Sequence, residues 1–248
     1  MTYCILVPHY NHERQLRQFL PSLVATGFPC VIVDDGSDCD NVEQLKALAA
    51  RYSSVHLFEL RANRGKGAAV TAGFAFARSL GFTHVIQIDA DGQHAVADID
   101  RFVAASKAHP DWLICGKPVF DQSVPKERLY GRKVTDVFVA LETLSLQIKD
   151  GLCGYRVYPL AAVEHIIDRY YIGPRMDFDT EILVKAVWSG IPLEFLPTAV
   201  IYPENSVSHF NYLRDNLVLI RLHTRLLLGM LIRLPAILWR KFNKQAAV

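Results

Sequence analysis

Two aspartates one residue apart, Asp89 and Asp91, follow the apolar run at residues 84 to 88 and precede Gly92, Gln93 and His94. Paired carboxylates repel each other and cost desolvation energy unless water, hydrogen bonds or a cation compensates them. On a turn after a strand, side chains two apart converge on one hard cation, and oxygen ligands with open positions suit Mg2+ or Mn2+ that also holds a diphosphate. Gln93 offers a further oxygen, and Gly92 permits the turn. The competing reading is an Asx-turn whose carboxylates cap a helix beginning near Val96.

A second acidic group, Asp34, Asp35 and Asp38, leaves the apolar run at residues 30 to 34. Carboxylates there would accept hydrogen bonds from a ribose or a nucleobase, or else cap the next helix. The stretch NRGKGAAVTAGF, residues 63 to 74, opens a helix with GxG and superficially matches a dinucleotide fingerprint. Val70 stands where the third glycine belongs, and the acid some twenty residues on, Asp89, sits in the paired-acid motif. The preferred reading is that Arg64 and Lys66 approach phosphates while the glycines let the backbone pass close to a ligand.

These groups need a scaffold that gathers them. Apolar β-rich runs at residues 3–7, 30–34, 55–60, 84–88 and 112–116 alternate with segments of helical period near 13–26, 41–51, 67–80 and 96–107. The alternation predicts an α/β fold with a mostly parallel sheet whose strands are buried on both faces. Ligands of such sheets bind where strands end, which is where the polar residues collect. Beyond residue 116 the pattern predicts a helix over about 128–147, another near 177–189 and a β-like run at 193–202.

The chain has 248 residues, half of them apolar, and a formal charge of +2, which argues against a nucleic-acid-binding surface. Five scattered cysteines without a CxxC pair read as reduced structural thiols of a cytoplasmic protein, and the N-terminal apolar run is too short for a signal peptide.

Taken in order, VPHYN, VDDGSD, NRGKGAA, DADGQH and DGLCGYRVY resemble the motifs of glycosyltransferase family 2, and within it the dolichyl-phosphate mannose or glucose synthase branch, over residues 3 to 210. The resemblance implies a GT-A fold, a UDP- or GDP-sugar donor, a divalent cation, inversion at the anomeric carbon and a lipid-linked or glycolipid acceptor. By the same resemblance Pro8 and Tyr10 line the base pocket, Asp35 contacts the nucleoside, and Asp89, Asp91 and Gln93 hold metal and diphosphate. Lys117, Arg128 and Arg132 fall where that branch sets cations against donor or acceptor phosphates, beside the Lys66 already read from the GxG stretch. Asp150, Gly154 and Arg156 shape the acceptor side, with a buried, paired guanidinium the alternative for Arg156. Asp179 and Glu181 orient the acceptor, or simply occupy the first turn of a helix. The first motif departs from the family's YNE at Tyr10-Asn11-His12, which leaves UDP and GDP both open. A transferase with a non-lipid hydroxyl acceptor and a non-catalytic nucleotide-sugar-binding protein are the competing functions.

The expected division is a catalytic domain over residues 1–208 and a basic amphipathic helical tail over 209–248. Arg214, Arg221 and Arg225 share a helical face, Arg233, Arg240, Lys241 and Lys244 continue the charge past a break expected at Pro235, and His209 would lie near the acceptor entrance. A spanning helix needs about 20 apolar residues, far more than the uncharged run at 226–232 supplies. The tail therefore reads as lying on the cytoplasmic face of an anionic membrane, or as packed on protein with snorkelling arginines.

Overall fold

The structure is a computed structural model that describes residues 1–120, 124, 126–200 and 212–245. Its centre is a seven-stranded sheet of order β3-β2-β1-β4-β6-β5-β7. β1 (Tyr3–His9), β2 (Cys30–Asp34), β3 (Val55–Glu59) and β4 (His84–Gln87) are mutually parallel, so all four deliver their C-terminal residues to one edge. β6 (Arg156–Pro159) runs antiparallel between β4 and β5 (Leu113–Val119), and β5 pairs in parallel with β7 (Leu193–Ala199). Because Gln87 pairs with Arg156, the turn that enters β6 meets the same edge from which β4 leaves.

Period-two alternation sends neighbouring side chains into two separate cores. Ile5, Val7, Ile32 and Ile86 pack against α1 (Glu13–Val24), α2 (Cys39–Ala49) and α4 (Ile99–Ala108), contributing with Leu16, Leu45 and Phe102 to one core. Leu6, Val31, Val33 and Val85 face the other core, where α3 (Lys66–Ser79), α6 (Leu160–Arg169) and α7 (Phe178–Ser189) supply Val70, Phe74, Val163 and Leu183. Each such fully buried aliphatic contributes about 1.5–3 kcal/mol relative to exposure, which fixes the register of the strand ends.

Cys4, Cys30, Cys115 and Cys153 are free and buried, and burial pushes each thiol up to about 12, so none is a nucleophile at neutral pH.

Three details correct the sequence reading, and a fourth matches an alternative that it left open. α5 (Lys126–Thr143) ends before the expected residue 147, because Leu144 takes a left-handed φ of 49° and Ser145 N–H bonds back to Ala140 C=O. The sequence pattern predicts neither the short β6 nor the helix α6; four residues carrying an arginine and a proline do not look like an interior strand. α8 (Tyr212–Gln245) continues through Pro235 with no break, although proline forfeits one hydrogen bond there. Finally, several of the tail's arginines face protein. Arg225 Nη2 lies 2.7 Å from Glu181 Oε2, Arg233 stacks over Tyr170 and Trp188, and Arg240 donates to Trp188 C=O. α8 thus packs on α5 and α7, with Leu222, Leu226 and Ile237 buried and Leu217, Ile220, Leu228, Leu231, Ile232, Leu238 and Trp239 exposed. Among the described residues no helix is long and apolar enough to cross a membrane. His209 and the side chains of Arg128, Arg214, Lys241 and Lys244 lie outside the described residues.

Candidate active site

The strand edge brings Lys66, Asp89 and Asp179 together. Lys66 opens α3, Asp89 follows β4 and Asp179 sits in the first turn of α7; Lys66 Nζ lies 2.8 Å from Asp89 Oδ1 and 2.8 Å from Asp179 Oδ2. Burial alone would depress the ammonium, but the charges of Asp179 and Asp89 outweigh it and hold Lys66 above the ordinary lysine range. Burial likewise works to raise Asp89, yet Lys66 and His94, whose Nε2 is 3.8 Å away, keep that carboxyl well below its usual range. Gln87 Nε2 adds a long hydrogen bond of 3.4 Å to Asp179 Oδ1.

Gly154, in the turn before β6, makes this cluster possible. A Cβ there would lie 2.7 Å from both Asp89 Oδ2 and Lys66 Nζ, so a side chain would occupy the space of the ion pair. The motifs DADGQH and DGLCGYR are therefore in contact.

Asp91 stands two residues beyond Asp89. Its Oδ1 accepts the Gln93 N–H at 3.0 Å in a turn that Gly92 closes with a φ of 70°. Burial, then the neighbouring charge of Asp89, push the Asp91 carboxyl up, a repulsion that a doubly charged ion would relieve. Asp89 Oδ1 is buried and has the Lys66 ammonium 2.8 Å away as its partner, so a cation there would share this oxygen with Lys66. Among the described residues no three His, Cys, Asp or Glu side chains converge as a ready metal site. The two carboxylates nevertheless fit a hard cation that takes its remaining oxygens from Gln93, water and a diphosphate, provided that Lys66 shares Asp89.

Asp35, expected against a nucleoside, accepts the N–H groups of Arg64 at 2.8 Å and Gly65 at 2.7 Å, and so clamps the loop that presents Lys66. Its burial raises the carboxyl despite these two donors. Pro8 and Tyr10, both half-buried, flank the exit of β1. The loop carrying Gly65 packs on residues 173–175: a Cβ on Gly67 would sit 2.5 Å from Gly173 C=O and 2.6 Å from Phe178 Cβ. Gly67→Ala is therefore expected to cost about 1–3 kcal/mol as overpacking and to weaken nucleotide binding with it, read as a lowered thermal midpoint and a smaller midpoint rise on adding nucleotide.

On the other side of Gly154, Arg132 Nη1 binds Asp150 Oδ2 at 2.6 Å, while Asp150 Oδ1 accepts Leu152 N–H and Cys153 N–H. Lys117 is exposed on β5. Arg156, expected at the acceptor side, is fully buried and donates to Asp179 C=O, Gly151 C=O and Tyr158 Oη, reaching the site only through the backbone it holds. A buried guanidinium is too costly to leave unpaired, and here two carbonyl oxygens and a phenol hydroxyl, rather than a carboxylate, accept from its Nη1 and Nη2. Glu181 is also fully buried, accepting from Gly173 N–H, Lys185 and Arg225. It braces the 173–175 loop instead of facing the cleft.

Three residues of the site escaped the sequence reading. Gln87 carried a signal, a lone amide inside an apolar strand. His94 was visible beside the acid pair but had no partner until the fold supplied Asp89. Asp136, on α5, gave no signal. Burial first and then the charge of Asp150 push its carboxyl up to about 6 from 3.8, with Arg132 and Gly151 N–H opposing. The folded state thus holds this proton more tightly than the unfolded chain. Its contribution to stability is complete below pH about 4 and is lost as pH rises through about 6. Asp136→Asn should remove that decline, gaining on the native protein by at most about 3 kcal/mol above pH 7 and little at pH 4, measured by denaturant unfolding across pH.

A seven-stranded, mostly parallel sheet with acids and cations at one edge is the GT-A architecture. The Glycosyl transferase family 2 model matches residues 4–166, and the chain belongs to that family. It is 28% identical over 211 residues to the polyprenol monophosphomannose synthase of Mycolicibacterium smegmatis, covering 82% of this chain and 79% of that one. It is 25% identical over 210 residues to a dolichyl-phosphate beta-glucosyltransferase of Dictyostelium discoideum, covering 76% of this chain and 63% of the relative's length. Among solved structures, glucosyl-3-phosphoglycerate synthase of Mycobacterium tuberculosis in complex with Mn2+ and UDP-glucose shares the fold with a TM-score of 0.65 at 14% identity, covering 92% of this chain and 78% of that one.

Proposed function

We propose that the chain is an inverting glycosyltransferase that moves a sugar from a UDP- or GDP-sugar to a lipid-linked phosphate. The observation that carries this reading is the meeting of Lys66, Asp89 and Asp179 over Gly154, with Asp91 two residues beyond Asp89 at the strand edge. The relatives named for dolichyl-phosphate and polyprenol substrates support the acceptor class.

Asp91, Asp89 and Gln93 would hold Mg2+ or Mn2+, which when bound supplies Lewis-acid neutralisation of the charge on the departing nucleoside diphosphate. Lys66, released in part from Asp89, places its ammonium toward the same diphosphate. Asp35 keeps the 63–66 backbone close to the nucleotide, and Arg156 fixes the first turn of α7 and hence Asp179. Arg132 offers a cation for the acceptor phosphate, steadied by Asp150.

A phosphate oxygen is already nucleophilic and needs no base. Asp150 and Asp179, the candidates for taking a proton from a hydroxyl, already accept hydrogen bonds from Arg132 and Lys66 respectively, which favours the phosphate acceptor. The outward apolar side chains of α8 favour contact with a membrane surface, in which a lipid-linked acceptor would be anchored. Incubation with a radiolabelled sugar nucleotide and polyisoprenyl phosphate tests the reading. Label should enter the organic phase and EDTA should abolish it; label confined to a water-soluble product would replace the lipid acceptor with a soluble one.

A further inference from the structure

Away from the strand edge, α6, α7 and α8 enclose a cavity of about 180 Å3 lined by Arg169, Lys185, Arg225 and Arg233 together with Tyr170 and Trp188. Four cations converge there. Arg233 lies 5.0 Å over the Tyr170 ring and 4.9 Å over Trp188, and Arg225 lies 4.9 Å over Tyr171, so the aromatic faces hold the guanidinium planes in place. The nearby carboxylates are Glu181, which already binds Lys185 and Arg225, and Asp177, 3.7 Å from Arg225. Arg225 and Arg233 help to depress the Lys185 ammonium, after burial itself. Four cations stand against these two carboxylates, so the cavity keeps an excess of positive charge.

Arg225 and Gly229 belong also to a second, apolar groove of about 550 Å3 along α8, lined by Ile220, Leu228 and Ile232. Ile232 is 78% exposed and Leu228 58%, so this groove is open along its length. A cationic, aromatic-backed pocket that runs into an apolar groove matches a molecule with a phosphate at one end and hydrocarbon at the other.

We propose that this pocket binds the phosphate headgroup of an anionic membrane phospholipid, with its chains lying along the groove of α8. The inference rests on the reading of α8 as membrane-facing and adds to it a discrete headgroup site. Charge complementarity selects this occupant over a second copy of the chain, which would bring four further cations against these four. Arginine forks bind phosphate oxygens in pairs, whereas a diffuse basic surface attracts any anionic lipid equally. Glu181 bonds both Arg225 and the Gly173 N–H of the loop packed against Gly67, so an occupied pocket lies one loop from the proposed donor site.

The test is co-flotation of the whole chain with vesicles of phosphatidylcholine alone, or with phosphatidylglycerol, phosphatidic acid or polyisoprenyl phosphate added at equal surface charge. The native chain should bind the phospholipid anions at least tenfold more tightly than phosphatidylcholine. Arg169→Gln, on an exposed side chain at the end of α6, should weaken that binding about fivefold, and the pair Arg169→Gln with Arg233→Gln about 25-fold. Arg233→Lys keeps the charge but loses the fork, and should still lose several-fold. Nucleotide binding should stay unchanged in all three, which also certifies their fold. Failure to float with any vesicle would overturn the membrane reading and the pocket together. Flotation without preference for charge, or variants that float like the native chain, would overturn the pocket alone. A preference for polyisoprenyl phosphate over both phospholipids would reassign the pocket to the acceptor and refute the phospholipid.

Discussion

Asp91→Ala should abolish manganese-dependent binding of the sugar nucleotide while the protein still unfolds in one cooperative transition. Asp91 is partly exposed and, among the described residues, its carboxylate bonds to the Gln93 N–H of its own turn, so the fold loses little. Its pair with Asp89 gives the site two hard anionic oxygens for a cation, and the repulsion that raises the Asp91 carboxyl in the absence of a ligand disappears when a double positive charge sits between them. Loss of charge neutralisation on the leaving diphosphate should lower kcat/KM by about a thousandfold, the several kcal/mol that such stabilisation is worth. Isothermal titration with and without Mn2+ checks the binding half and single-turnover assays the chemical half. An Asp91→Ala protein that keeps manganese-dependent affinity would remove Asp91 from the site.

Lys66→Met should act in two opposed directions. Asp179, whose side chain is 4% exposed, would keep, among the described residues, the 3.4 Å hydrogen bond from Gln87, and breaking such a buried pair costs about 3 kcal/mol, the lower end of the usual range because Asp89 is a quarter exposed. Free Asp89 should meanwhile bind Mn2+ alone more tightly than in the native chain, where the ammonium competes for it, and the diphosphate should bind more weakly for want of the same ammonium. Denaturant unfolding measures the first effect and manganese spin resonance the second. Unchanged stability together with unchanged metal affinity would mean that Lys66 does not bridge the two acids in solution.

The strand edge was legible because fully buried parallel strands are continuous apolar runs, and in this chain each stops abruptly at a polar group. VIQID, CVIVD and YCILV therefore point to Asp89, Asp34 and the Pro8–Tyr10 turn before any coordinates exist. What joins those ends was not legible. Lys66 was expected near phosphates, but its hold on Asp89 and Asp179 depends on α3 and α7 converging from positions 113 residues apart. The role of Gly154 follows from β6 entering the sheet antiparallel beside β4, and β6 is too short and too polar to announce itself. Arg156 illustrates the general limit: the sequence supplies a guanidinium, and only the fold supplies the carbonyls of Asp179 and Gly151 that enclose it. In the tail, helical spacing located the arginines on a face, but which face meets protein was decided by Glu181 and the Trp188 carbonyl, partners that no local pattern names.

The most direct trial of the metal-assisted transferase is a crystal structure with Mn2+ and an intact sugar nucleotide. We predict that Asp91 would hold the ion beside the diphosphate, with Lys66 Nζ drawn from Asp89 toward a phosphate. A bound nucleotide with no ion at Asp91, and Lys66 still seated between Asp89 and Asp179, would contradict it.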